Sequence, residues 1–189
     1  MAVVERWQDL KVAVSHNTPR DAATYLLKSY LPRYVPEYVV IDGKRKKLTA
    51  CNIFFTDVVQ QLKLTGPYHW IDKKGNPLRY SSTSHVKGSE LSANAMIDWF
   101  RVHGESYQWE RTTRYEAEQQ ALKGLLAAVT YYAVPVINEP PKSGHIAVLL
   151  EDGTIAQAGA GFPFVGKELA EGFGKLPVEF WVYVGKREV

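Results

Sequence analysis

Along this chain the spacing of the apolar residues changes once, from helical to strand-like, and that single change narrows the possible folds more than any motif. Thr18-Pro19 followed by Asp21 reads as a capped start for a helix through Ala22, Leu26 and Leu27 toward Tyr30, which Pro32 and Pro36 should end. Phe55, Val58, Val59 and Leu62 fall at i, i+3, i+4 and i+7, predicting a helix with one apolar face from about Asn52 to Leu64, stopped by Gly66-Pro67 and capped by Thr49. Two more helices are expected, over Ser92 to His103 and over Thr113 to Leu122. Thr113 and Glu116 of the second match a capping box, and Gly124 ends it. Beyond it the pattern changes. Leu126 to Ile137, His145 to Leu150, Thr154 to Ala158 and Val178 to Val184 are rich in β-branched and aromatic residues and are separated by Pro, Gly and Asp-Gly, which predicts an antiparallel sheet. Helices first and strands later is an α+β order: N-terminal helices packed on a C-terminal antiparallel β-sheet. The segment from Tyr68 to Lys87, with Gly75-Asn76-Pro77 and a Ser-rich run, shows no period and is expected to be an irregular loop.

No repeat and no composition break divides the 189 residues, so residues 1–189 read as one domain. A folded chain of this length buries about 70% of the surface that its unfolded form exposes, so a core is available without staples. The single cysteine rules out an internal disulfide and a multi-thiolate metal site. A net charge of +3 gives no reason to expect nucleic acid or an anionic membrane as partner. The one dense basic run, Lys44-Arg45-Lys46-Lys47 after Asp42-Gly43, reads as a solvated loop, with a phosphate-binding patch as its alternative. No stretch reaches the roughly 18 apolar residues of a membrane span. Met1 to Leu10 carries Glu5, Arg6 and Asp9 where a signal peptide needs an apolar run, so no export signal is expected.

The lone thiol, Cys51, falls in the first turn of its predicted helix, where unpaired backbone N–H groups favour the thiolate and can also hold a developing oxyanion. The alternative is a small core residue packed under that turn. Five histidines compete as base: His16, His69, His85, His103 and His145. His145 stands at the head of an apolar strand, a rigid place to hold an imidazole, although an ordinary edge histidine fits there as well. His69 and His85 lie in the irregular loop, and His16 and His103 read as surface residues near element ends.

A catalytic imidazole needs its second nitrogen held by a polar partner. The hairpin at Glu151-Asp152-Gly153 offers two registers. With a two-residue turn at Asp152-Gly153, Val148 faces Gln157, and the His145 face shows only Ala156, Ala158 and Ala160. With a three-residue loop and a left-handed Gly153, Ala147 faces Gln157, which becomes the diagonal neighbour of His145, about 7–8 Å away at Cα.

Ala50-Cys51-Asn52-Ile53-Phe54-Phe55-Thr56-Asp57-Val58 at a helix start, followed by Ser143-Gly144-His145-Ile146-Ala147-Val148 on a strand, resembles the bacterial papain-like cell-wall cysteine peptidases of the NlpC and CHAP type. Gln157, 12 residues after His145, stands where that family places its third polar residue. Glu118 to Ile137 looks like the entry to its central sheet and Phe180-Trp181-Val182-Tyr183 like its closing strand, so the resemblance spans roughly residues 48 to 184. It implies a papain-like fold and an amidase or endopeptidase acting on peptidoglycan stem peptides. Cys51 would be nucleophile, His145 general base and acid, and Gln157 orienter, with the Cys51 backbone N–H in the oxyanion hole. Asn52, beside the nucleophile, and Tyr38, thirteen residues before it, are the candidates for oxyanion and substrate contacts. Trp70, Tyr80 and Trp109 are candidates for the cleft wall. No cofactor or metal is implied, and an immunity or inhibitor protein is a conceivable partner. The long insertion after Cys51 and the lack of wall-binding repeats depart from the family. Together with the expected lack of an export signal, they are compatible with delivery by a non-signal-peptide route, as for an antibacterial effector or a phage enzyme.

Two other functional classes fit the same residues. One is a papain-fold acyl-transfer enzyme acting on protein, such as a deamidase, transglutaminase or protein-directed peptidase. The other is a binding domain with an inert cysteine. A zinc hydrolase is disfavoured, because neither a His-Glu-x-x-His helix nor paired cysteines occur.

Overall fold

A computed structural model describes residues 16–41, 44–67, 70–72, 74, 88–135, 137, 143–159 and 161–185. The chain is α+β. Its described elements start with helix α1 (Pro19–Tyr34), the hairpin β1 (Glu37–Ile41) and β2 (Lys44–Leu48), and helix α2 (Cys51–Gln61). Strands β3 (Trp70–Asp72) and β4 (Gly88–Glu90) and helix α3 (Ala93–His103) follow, then β5 (Trp109–Thr112) and α4 (Arg114–Leu122). Next come β6 (Ala127–Tyr131), β7 (His145–Leu149), β8 (Ile155–Gln157), β9 (Phe164–Lys167), α5 (Leu169–Phe173) and β10 (Glu179–Tyr183). Six strands form one antiparallel sheet in the order β5-β10-β6-β7-β8-β9.

Both faces of that sheet are covered. Ala128, Ile146, Val148, Ala156 and Trp181 point into a core shared with α1, α2 and α3, while Val129, Ala147, Leu149, Ile155 and Val182 pack with Ala117 and Ala121 of α4 and Phe173 of α5. Burial on both sides explains why β7 reads as an unbroken apolar run after its first residue.

The expected caps of α1 and α4 form, and α3 is capped as well. Thr18 accepts from the Asp21 N–H and Ser92 from the Ala95 N–H, and Thr113 and Glu116 close a reciprocal capping box. Helix α1 does not stop at Tyr30. It kinks there, at φ −133°, because Pro32 removes a hydrogen bond, and then resumes to Tyr34. The second segment carries Arg33 and Tyr34 onto α2. There the Asp57 carboxylate takes Arg33 Nε at 2.7 Å, Nη2 at 3.3 Å and the Tyr34 hydroxyl at 2.7 Å, all buried. Burial, reinforced by the Asp57 charge, pushes the Tyr34 hydroxyl well above its ordinary value, so it stays a donor.

Helix α2 differs most from its expected form. Instead of one apolar face it is buried nearly all round, and two of its polar residues are paired inside: Asn52 Nδ2 donates to Leu91 O at 2.8 Å and Thr56 Oγ1 to Pro67 O at 3.1 Å. The basic run is strand β2, paired with β1 from Glu37↔Leu48 to Ile41↔Lys44, and not a loop. The segment expected to be irregular holds β3, which pairs with β4 just beyond its end, Trp70↔Glu90 to Asp72↔Gly88. Asp42-Gly43, Gly75-Asn76-Pro77, His69, His85 and Tyr80 lie outside the described residues.

Candidate active site

Cys51 is the first residue of α2, a position whose backbone N–H has no acceptor within the helix. The N-cap is Ala50, not Thr49, and makes no side-chain cap. The Thr49 hydroxyl instead hydrogen-bonds the thiol, as do the Ile146 backbone N–H and the His145 ring. Only 3% of Cys51 is exposed, so the thiol works in a setting where these few contacts count for more than they would in water. Burial pushes the thiol up, but the imidazole, the Ile146 N–H and the Thr49 hydroxyl outweigh it and hold Cys51 below its ordinary value.

His145 opens β7, opposite Tyr131 on β6. The glycine before it is required by packing. A Cβ on Gly144 would lie on the Asn94 carboxamide and 2.9 Å from Tyr131 O. That carboxamide clamps the end of β6, donating to Ala133 O at 2.9 Å and accepting from Ala133 N–H at 3.0 Å. By strand alternation His145 shares the face of Ala147 and Leu149, whereas Cys51 belongs to the core on the other face. The two meet because His145 is the first residue of its strand, where the sheet no longer separates the layers.

The hairpin after β7 takes the three-residue register. Val148 pairs with Ala156 and Leu149 with Ile155, Leu150 N–H donates to Thr154 O at 2.8 Å, and Gly153 is left-handed at φ +79°. Asp152 Oδ1 accepts from Thr154 N–H at 3.1 Å inside the loop, and Arg20 of α1 reaches across to pair with both Glu151 and Asp152. Gln157 therefore falls on the His145 side, and its Oε1 hydrogen-bonds His145 Nε2. With Nε2 donating to that oxygen, Nδ1 is left for the thiol. Burial pulls the imidazole down, but the hydrogen bond and charge of Cys51 and the hydrogen bond to Gln157 prevail and raise His145 above its ordinary value. The opposite shifts of Cys51 and His145 favour a thiolate–imidazolium pair.

Cys51, His145 and Gln157 are thus brought together. Asn52 is buried with its side chain turned to Leu91 O, and Tyr38 stands 57% exposed on β1. Trp70 opens β3, but its side chain lies outside the described residues. Trp109 is a correction: at 1% exposure it is core and not cleft wall, set tilted or edge-on against Phe55, Phe100 and Tyr183, with Nε1 donating to Thr65 O at 2.9 Å. The reason is its strand, which pairs with β10 and turns the indole inward. His16 and His103 are half-buried, packed against Tyr25 and Trp99.

Sequence reasoning missed the neighbours of the His145–Gln157 pair. Phe173 of α5 packs on the His145 ring at 4.9 Å, and Gly172 and Gly159 give the two side chains room. The only local signal was Glu168 with Glu171, which close a capping box on this five-residue helix. Among the described residues no group of three or more His, Cys, Asp or Glu side chains is placed to hold a metal ion, and no helix is long and apolar enough to cross a membrane. No protein-family model matches the chain, and no curated protein matches it.

Proposed function

We propose that this protein is a papain-like cysteine hydrolase that cleaves amide bonds in the stem peptides of peptidoglycan. The observation that carries the catalytic part is the constellation itself: a thiol at a helix start, held below its ordinary value by an imidazole whose other nitrogen is held by Gln157. The choice of substrate rests on the resemblance of the residues around Cys51 and His145 to the NlpC and CHAP enzymes.

In the reaction the Cys51 thiolate attacks the scissile carbonyl, forming the S–C bond. The carbonyl oxygen gains negative charge beside the backbone N–H of Cys51, whose place at the helix start suits it to an oxyanion. The imidazolium of His145 gives its proton to the leaving amine as the C–N bond breaks. His145 then takes a proton from water, whose oxygen displaces the thiolate from the acyl-enzyme. Gln157 keeps one ring nitrogen committed throughout, so the other points at sulfur. Purified sacculi test the reading: incubation should release soluble muropeptides with new free amines. Intact sacculi together with conversion of a protein glutamine would favour the acyl-transfer alternative.

The pH profile of kcat/KM should be bell-shaped. A lowered Cys51 gives up its proton below the ordinary thiol value of 9.0, and a raised His145 keeps its proton above the ordinary imidazole value of 6.5. The acid limb therefore lies below 9.0, where the first proton leaves the pair, and the alkaline limb lies above 6.5, where the second leaves. A single rise with its midpoint at or above 9.0 would mean an unassisted thiol.

A further inference from the structure

Helix α5 comes after all three candidate catalytic residues in the chain and has only five residues, yet it packs directly against two of them. A Cβ built on Gly172 would stand 2.8 Å from Gln157 Oε1, 3.3 Å from its Cδ and 2.5 Å from Ile155 Cδ1. The next residue, Phe173, is buried with its ring 4.9 Å from that of His145. From the other side, a Cβ on Gly159 would come within 2.8 Å of His145 Cε1 and 3.4 Å of Nε2. The Gln157 carboxamide and the imidazole edge that it holds are thus enclosed by two positions without side chains and by one aromatic ring.

The geometry points to Gly172 and Phe173 as positioning residues: α5 is a clamp that fixes the Gln157 carboxamide on His145 and, through it, aims the imidazole at the thiol. This rests on the reading of Cys51, His145 and Gln157 as a nucleophilic triad. The ordinary reason for a glycine is absent at Gly172, which takes no left-handed φ, unlike Gly174 two residues on at φ +59°. What an alanine at 172 would meet is side-chain tips, not backbone, so the fold can yield by displacing them. One of those tips is the oxygen that holds His145 Nε2.

The experiment needs no substrate. The rate at which iodoacetamide alkylates Cys51 is followed against pH, and reads thiolate content directly. Gly172→Ala is expected to move the thiol titration upward by roughly one unit, which slows alkylation by about tenfold at any pH below the wild-type titration. Gly161→Ala, at a position with open space around it, should match the wild type. Ile155→Val removes the Cδ1 atom that alanine would also meet, so Gly172→Ala in that background should keep the defect if Gln157 is the cause. In a Gln157→Ala background, Gly172→Ala should add less than twofold, because the group it acts through is gone. Phe173→Leu, which keeps apolar volume, should shift the titration in the same direction and supplies the readout if Gly172→Ala does not fold. The proposal is overturned if Ile155→Val restores the wild-type profile, if the Gly172 and Gln157 effects add in full, or if both α5 variants titrate as wild type. Intact coupling in a protein that leaves sacculi untouched supports the clamp and counts against the peptidoglycan reading alone.

Discussion

Cys51→Ala should reduce hydrolysis roughly 10^4- to 10^6-fold, because it removes the atom that forms the covalent intermediate and no neighbour can replace it. The fold should hardly notice. Exchanging one buried sulfur for hydrogen costs on the order of 1 kcal/mol, or about 2–4 °C in a domain of this size. His145→Ala should be comparably inactive, since the thiol then loses the partner that lowers it and the leaving amine loses its acid. Gln157→Ala removes orientation and not chemistry, and its defect should be roughly fifty- to a hundredfold milder. Turnover on sacculi and thermal denaturation, measured on the same preparations, check the series. A Cys51→Ala protein that still releases muropeptides would end the catalytic reading. A Gln157→Ala defect as deep as that of Cys51→Ala would mean that Gln157 has been given the wrong role.

Asp57→Ala should produce the largest loss of stability, about 3–5 kcal/mol, against a typical total of about 5–15 kcal/mol. The carboxylate is fully buried six residues after the nucleophile, and it takes hydrogen bonds from both Arg33 and Tyr34. Its removal takes from a buried guanidinium the carboxylate that it is bound to and from a tyrosine donor its acceptor, which costs far more than the intact pair contributes. At about 2–4 °C per kcal/mol, the melting temperature should fall by roughly 6–20 °C. Replacing both Arg33 and Asp57 by apolar residues of similar volume should recover most of the loss, since the penalty lies in breaking a buried pair and not in lacking one. A loss under about 1 kcal/mol for Asp57→Ala would show that water serves the guanidinium as well as the carboxylate does. Because Arg33 and Tyr34 follow the kink in α1, this cluster also ties that segment to the helix bearing Cys51.

Features written in adjacent residues were legible in the sequence. Thr18 and Thr113 announce helix starts with their own side chains, and the α2 stretch carries a helical period strong enough to place Cys51 in the first turn. The elements that were missed or misjudged owe their form to distant partners. Strand β5 exists because Trp109 to Thr112 pair with β10, about seventy residues later, and that pairing put Trp109 in the core. The polar residues of α2 imitate a solvated face, and partners from elsewhere, Arg33, Tyr34, Leu91 and Pro67 among them, make the burial of Asn52, Thr56 and Asp57 tolerable. Helix α5 is too short to show a period, so its part in the site was invisible until it was seen lying on Gln157 and His145.

The hairpin at Glu151-Asp152-Gly153 shows where local information ends. The residues themselves supplied a nucleophile type, an imidazole at the head of a strand and a glutamine twelve positions on, and they limited the turn to two registers of opposite parity. Both registers satisfy the local rules, because glycine accepts a left-handed φ at little cost in either. Long-range contacts separate them. Arg20, 131 residues before Glu151, pairs with Glu151 and Asp152, and β9 pairs with β8 from the far side, so the three-residue loop is the one that is held. A slip of one residue would turn Gln157 to the opposite face of the sheet and leave His145 opposite alanines. The chemistry available to the chain is thus carried by the identity of its residues, but its assembly depends on which strand register the packed molecule keeps.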